Sequence, residues 1–486
     1  MNFKAVIYIL GWILNIEGAF MFAPVLISLI YGETQGAAFA VVALICIATG
    51  SVIVSAKPEN MTFFTKEGLA VTALAWIILS LFGCLPFIIN RDIPSFTDAL
   101  FETVSGFTTT GTSILNDVEA LSHASLFWRS FTHWIGGMGV LVFLLALIPM
   151  TGGSHMNIMR AESPGPVVGK FLPKVRQTAF ALYAIYIALT VAEILALIIC
   201  RMPVFDAVNT ALATAGTGGF GIKSTSLADY SPCIQWIVAV FMALFGINFN
   251  VYFLLFMRRF KSAALHEEAR YYLLIILAAA AVITLSLYVS GTLPEKSFGG
   301  NIRHVFFQVI SVITTTGFTT LDYEVWPQIA LTILIGLMFI GACAGSTGGG
   351  IKVSRILILF RTVCREIMLF FNPKRVVKIK IEDKPVTNEL VHSVSVFLAA
   401  YVLLFAVSVL LVSIDNHDFT TTFTAVAATV NNIGPGLGKA GPTESFSFFS
   451  GFSKYVMMFD MLAGRLELYP TLMLLAPDFW KGLLKR

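Results

Sequence analysis

Apolar residues along this chain come in blocks of about 17–25, long enough to cross roughly 30 Å of hydrocarbon. The blocks fall at roughly 5–31, 39–56, 68–90, 126–150, 178–200, 232–257, 270–290, 328–344, 389–413 and 450–470, which predicts ten membrane spans. Each is apolar on every face, unlike the amphipathic helices of a large soluble core. The first block begins near Ala5, lacks a small-residue cleavage site and is closely followed by a second span. It therefore reads as a span and not as a cleavable signal.

Four of the loops between blocks hold a short, half-apolar stretch followed by Gly- and Thr-rich residues. They read FETVSGFTTTGTS, ATAGTGGFG, VISVITTTGFTT and ATVNNIGPGLG. Their matching glycines, Gly111, Gly219, Gly317 and Gly434, are spaced by 108, 98 and 117 residues. A second glycine recurs 24–30 residues later in the following span, at Gly137, Gly246, Gly341 and Gly464. Repetition at a near-constant period marks a repeated structural unit. One Thr/Gly cluster would be an ordinary turn; four in register, each between two spans, are not. The expected fold is an all-α polytopic membrane protein. Four pseudo-symmetric repeats, each span, re-entrant pore helix and span, surround one ion pore, and two extra transmembrane helices precede them. The expected boundaries are 1–66 for the N-terminal pair, then 67–176, 177–268, 269–386 and 387–486 for the repeats, the last ending in a cytoplasmic C-terminus.

Charge changes this picture by giving it a direction. Of the 486 residues 57% are hydrophobic and only 12% charged, against about 25% charged in soluble domains. Basic residues gather in alternate loops: Lys57 and Lys66; Arg160, Lys170, Lys174 and Arg176; Arg258, Arg259, Lys261 and Arg270; Lys352 through Lys384; and Lys481, Lys485 and Arg486. The other loops carry Glu33, Asp92, Asp98, Asp117, Glu119, Asp206, Asp229, Asp322, Glu324, Asp415 and Asp418. The positive-inside rule then puts both termini in the cytoplasm. The acidic face is external, where it raises the local cation concentration. The net charge of +4 does not point to nucleic acid. The six cysteines show no paired spacing, and predict neither a disulfide framework nor a zinc site. The seven histidines are scattered and form no metal cluster.

Non-helical backbone at membrane depth is tolerated only where protein buries it or water lines it. Four such segments around one axis make a pore, and backbone carbonyls can replace the water shell of a dehydrated cation. Glycine readily adopts the dihedrals that aim those carbonyls inward. Each short helix would point its C-terminal partial negative charge at the ion. No ring of Asp or Glu sits in these segments, which disfavours a divalent cation.

The motifs SGFTTTG, TGGFG, TTTGFTT and NNIGPGLG, with WIGGMG at 134–139, GINF at 246–249, GACAGSTGGGIKVSR at 341–355 and AGRLELYP at 463–470, resemble the Trk/Ktr/HKT potassium transporter superfamily over nearly the whole chain. The resemblance implies potassium uptake across a bacterial inner membrane through a single filter. Its potassium-binding residues would be Thr109, Thr110, Gly111, Gly218, Gly219, Thr315, Thr316, Gly317, Asn432, Ile433 and Gly434. In the plant branch a serine in the first repeat goes with sodium transport, so Gly111 implies potassium. The resemblance further implies no cofactor, a homodimer, and a cytoplasmic nucleotide-binding regulatory subunit of the TrkA-like kind. This chain has no nucleotide site of its own, since GSTGGGIK lacks the spacing of a phosphate loop. One departure is Gly221, where a serine is expected.

The Gly-rich stretch from Gly341 to Gly350 suits either close helix packing or, by the resemblance, an intramembrane gate. The gate residues would be Gly345, Ser346, Thr347, Gly348, Gly349, Gly350, Lys352 and Arg465. Arg465 reads either as a partner for Glu467 or for carbonyls freed near Pro470, or as a charge facing the cavity. The basic segment from Lys374 to Lys384 reads either as ordinary topology or as a docking surface. Alternatives at the level of function are a less selective Na+/K+ channel or a cation-coupled symporter. An organic-solute carrier would lack the re-entrant glycines. An intramembrane enzyme would need a constellation of reactive side chains that the sequence does not offer.

Overall fold

Proline and glycine decide where the apolar blocks stop being straight helices. The computed structural model describes residues 2–58, 65–139, 175–293, 295, 297–375, 377–382, 384–477 and 479. The second half of the expected span 126–150 lies outside the described residues, as do Arg160, Lys170, Lys174, Lys481, Lys485, Arg486 and the side chains of Arg176 and Lys384. The first block is two helices, Phe3–Phe20 and Phe22–Tyr31. Pro24 has no N–H for the Phe20 carbonyl, and its ring crowds that carbonyl. The third span divides likewise into Thr65–Gly83 and Leu85–Ile89, ahead of Pro86. The indole of Trp128 then donates to the Gly83 carbonyl at 3.0 Å.

Among the described residues six helices are long and apolar enough to cross a membrane, or seven if one bent pair counts as a span. The expected ten exceed this because the second spans of repeats two, three and four are short or broken, and that of repeat one lies partly outside the described residues. The expected span 232–257 is two helices, Pro232–Phe245 and Phe249–Phe256, bent by 89°. The expected span 328–344 ends at Ile340, and 450–470 ends at Arg465 before a short helix, Tyr469–Leu475. Each break lies at or next to the span glycine of its repeat, and glycine adds roughly 0.8–1 kcal/mol less to a helix than alanine. An unexpected helix, Val353–Phe371, occupies the start of the basic loop. A two-residue antiparallel pairing follows, with Lys380 opposite Pro385 and Ile381 opposite Lys384.

Four short helices, Phe96–Phe107, Val204–Ala215, Phe298–Ile313 and Phe419–Asn431, have 12, 12, 16 and 13 residues, too few to span. These are the pore helices. Side chains of Ser95, Ser297 and Asp418 cap the first, third and fourth at their N-termini. The N-terminal helices, repeat one and repeat four share one apolar core, and repeats two and three share another.

The cysteines depart from expectation. Cys200 and Cys233 form a disulfide between the end of helix Val175–Ile199 and the start of Pro232–Phe245, with Cα atoms 6.2 Å apart. A pore helix and a filter segment lie in the 33-residue separation between them, so spacing alone carried no signal.

Helices Phe3–Phe20 and Gly36–Ser55 meet through glycine. A Cβ on Gly50 would stand 2.6 Å from the Gly11 carbonyl oxygen, and one on Gly18 would stand 2.8 Å from that of Ala43. Gly50→Leu is therefore expected to lower the thermal unfolding midpoint in detergent by several degrees, because overpacking costs about 1–3 kcal/mol. Gly336→Ala, where nothing lies within 4 Å, is expected to leave the midpoint unchanged or raised. A size-exclusion melting series on both variants reads the difference.

Candidate ion filter and gate

The four re-entrant segments take one backbone path. After each pore helix the amide of Thr110, Gly218, Thr316 or Ile433 donates to the carbonyl five residues back, at 2.9 Å in every repeat. This is the bond of a Schellman cap, which needs a left-handed residue just before it. That residue is Thr109, Thr217, Thr315 or Asn432, with φ of 55°, 52°, 59° and 54°. Three are threonines, whose branched Cβ resists this region and makes each a true outlier. Such strain costs roughly 1–3 kcal/mol per residue and persists only where the surroundings over-determine it. Two residues on, Gly111, Gly219, Gly317 and Gly434 have φ of 82°, 77°, 83° and 103°.

These glycines form a closed ring. A Cβ on Gly111 would overlap the carbonyl oxygen of Gly218, one on Gly219 that of Thr316, and one on Gly317 that of Ile433. The ring closes at Gly434, whose Cβ would stand 3.2 Å from the carbonyl oxygen of Thr110. Each filter glycine thus faces the residue before the glycine of the next repeat, in chain order. Above the ring is an open vestibule of about 300 Å³, lined by all four glycines. The pore helices end at the ring, so their negative C-terminal ends point to it.

Side chains hold the strained segments. In repeat one the Thr108 hydroxyl donates to the Val104 carbonyl at 2.6 Å and lies 2.8 Å from that of Thr110. Repeat three does the same with Thr314, Ile310 and Thr316, at 2.7 and 2.8 Å. Asn432 donates to the Thr110 hydroxyl and to the Met461 carbonyl, each at 2.9 Å, and so ties repeat four to repeat one.

On the other side of the ring lies the segment from Gly341 to Lys352. It is a loop pinched at its neck, where a Cβ on Gly350 would stand 2.7 Å from the Cα of Gly341. Ile351 and Lys352 donate back to the carbonyls of Phe339 and Ile340 at 3.1 and 2.9 Å. The tip touches the filter, since Gly349 donates to the Thr315 hydroxyl at 2.6 Å. Lys352 donates to the Gly348 carbonyl, and Ser346 to that of Cys343. Arg465 donates to the Thr347 carbonyl at 2.7 Å, and to those of Gly136 and Gly137 at 2.6 and 2.7 Å. One guanidinium therefore joins repeats one, three and four, and its acceptors include carbonyls left open at a helix end. Glu467 pairs with Arg355.

The expected filter residues thus lie together on one ring, and the expected gate residues lie beneath it. Sequence reasoning missed four participants. Thr217 occupies the left-handed position of repeat two, and the register with Thr109 and Thr315 was the signal. Glu268 is buried, and one of its oxygens accepts from Ala344 at 2.7 Å and from Ser354 at 3.1 Å. Its other oxygen accepts from Asn248, at the bend in the second repeat, at 3.3 Å. Glu102 and Arg129 form a buried pair behind the first filter segment. Arg129, a base inside the expected span 126–150, was an available signal; Glu102 and Glu268 fall between the expected spans and carried none.

The cation transport protein family TrkH matches residues 35–481. The chain is 36% identical over 486 residues to the Trk system potassium uptake protein TrkH of Escherichia coli K12, covering 99% of this chain and 100% of that protein. It is 32% identical over 485 residues to the Trk system potassium uptake protein TrkG of the same strain, covering 99% of each. The crystal structure of the potassium transporter TrkH from Vibrio parahaemolyticus superposes with a TM-score of 0.87 at 33% identity, covering 99% of this chain and 100% of that one.

The ring is asymmetric in its tolerance. Alanine at Gly111, Gly219 or Gly317 is expected to reduce cation flux about tenfold or more, because it adds a backbone overlap to left-handed strain of roughly 1–3 kcal/mol. Gly434→Ala, with 3.2 Å of clearance, is expected to give the smallest loss. Flux into liposomes from equal amounts of each folded variant gives the order.

Proposed function

Because the chain belongs to the TrkH family of cation transport proteins, we propose that it takes up potassium through the glycine ring, and that the loop from Gly341 to Lys352 with Arg465 gates the path. It is a multi-pass membrane transporter and not an enzyme, and it works without a cofactor; potassium is the cargo. One observation supports the filter reading above the rest: four filter segments share one strained conformation, and each glycine abuts a carbonyl of the next repeat. Thr109, Thr110, Gly218, Thr315, Thr316, Asn432 and Ile433 would add the carbonyls on either side of each contact. Such carbonyls substitute for the hydration shell of potassium.

The gate reading is supported by position. The loop tip lies against Thr315, so an ion leaving the filter would meet glycine backbone and the guanidinium of Arg465. Gly345, Ser346, Thr347, Gly348, Gly349, Gly350 and Lys352 supply a segment whose bonds are mostly to backbone and therefore exchangeable. The basic loops place both termini in the cytoplasm, by the positive-inside rule. In this orientation the disulfide faces the oxidising side. The helix Val353–Phe371 and the basic residues Lys374, Arg375, Lys378 and Lys380 then form the face for a cytoplasmic TrkA-like regulatory subunit, with two copies of this chain as the membrane unit.

Two outcomes test the reading. Gly111→Ser is expected to raise sodium permeability relative to potassium severalfold; a folded variant with the parent ratio would remove the filter assignment. Deleting 344–349, or Arg465→Ala, is expected to raise potassium flux severalfold in liposomes without a regulatory subunit, at unchanged ion preference. Variants that fold and conduct no faster than the parent would place the gate elsewhere.

A further inference from the structure

Two residues beyond each filter glycine, every repeat is held by its predecessor around the ring. The Ser113 carbonyl of repeat one accepts from the Phe446 amide of repeat four at 2.8 Å. The Thr319 amide of repeat three donates to the Ser226 hydroxyl of repeat two at 3.1 Å. The Gly436 carbonyl of repeat four accepts from the Tyr323 hydroxyl of repeat three at 3.1 Å. Those three links are neutral. The link between repeats one and two is charged: the Gly221 carbonyl accepts from the Arg129 guanidinium at 3.2 Å.

Arg129 is 2% exposed, and it pairs with Glu102, which is 1% exposed, through a bond of 2.8 Å. Glu102 also accepts from the Ser113 hydroxyl at 2.9 Å and from the Ile114 amide at 3.0 Å. The guanidinium lies over the Phe220 ring, 4.1 Å from its centroid. One ion pair thus grips both outer limbs: Ser113 and Ile114 after Gly111, and Phe220 and Gly221 after Gly219. The matching positions elsewhere are not charged. Nine residues before the other filter glycines stand Thr210, Gln308 and Ala425, and eight before the other span glycines stand Val238, Ile333 and Val456. Burying two charges costs more than packing apolar groups of the same volume, so the pair is poorly explained as a source of stability alone. Charge-assisted, forked bonds do hold geometry more tightly than neutral ones.

We propose that Glu102 and Arg129 act as a positioning clamp that fixes the spacing between the first and second filter segments, and so sets the preference for potassium over the smaller sodium ion. The inference rests on the reading of the glycine ring as the filter. Arg129 reaches Gly221 through a fork that lysine cannot copy. With the clamp slack, the carbonyls around Gly111 and Gly218 close on a smaller ion at less cost.

The test uses the full-length protein in liposomes, with Arg129→Lys, the neutral double variant Glu102→Gln/Arg129→Gln, and Gly111→Ser in parallel. The double variant leaves no unpaired buried charge, so it remains informative where a single substitution fails to fold. Folding is checked by size exclusion, and the readout is the ratio of sodium to potassium permeability. A purely structural role would lower yield and thermal stability and leave that ratio alone. The clamp predicts that the ratio rises at least severalfold in every clamp variant that folds. Folded clamp variants with the parent ratio, beside a raised ratio in Gly111→Ser, overturn the clamp and keep the filter. The parent ratio in all three overturns the filter reading and the clamp with it.

Discussion

Backbone that leaves the helix inside a membrane must find partners within the protein, and this requirement organises the molecule. Each unsatisfied group there costs several kcal/mol. The filter meets it by ending every pore helix in the same cap. The Gly341–Lys352 loop meets it by folding back on its own helix. The bend between Phe245 and Phe249 meets it by exchange with that loop: Cys343 donates to the Gly246 carbonyl, and Phe249 donates to that of Gly345. The two interruptions complete one another, so neither break is a separate defect. Small side chains follow from the same need, because backbone reaches backbone only where no Cβ intervenes.

The repeats are alike in path and unlike in support. Repeats one and three use the same threonine bracing. Repeat two has glycine where they have the last threonine, and repeat four has asparagine in the left-handed place. The shared feature is the φ pattern, and the side chains around it vary by neighbour. Asn432 shows why: its amide must reach both Thr110 and the Met461 carbonyl, a span that a threonine hydroxyl cannot cover.

The sequence made the repeats legible because the glycine requirement is local. A left-handed residue beside a crowding carbonyl needs glycine wherever it occurs, so Gly111, Gly219, Gly317 and Gly434 stand out at regular intervals. Span ends were less legible. Gly246 and Gly341 were visible as repeated marks, but hydropathy does not register a bend, so 232–257 and 328–344 read as continuous. The helix Val353–Phe371 was hidden because its basic residues read as loop. The Cys200–Cys233 bond and the Glu268 contacts join residues that only the folded chain brings together. Arg465 was visible as a charge in an apolar block, but its acceptors lie on two elements of other repeats, which periodicity does not reveal.

Both ends of the Gly-rich loop also meet on one atom. The same oxygen of Glu268 accepts from Ala344 near the start and from Ser354 just past the end. The distance between those two amides is therefore fixed for as long as the carboxylate holds them. A loop closed on itself in this way has few conformations open to it, and the entropy that would favour its loosening is largely withheld.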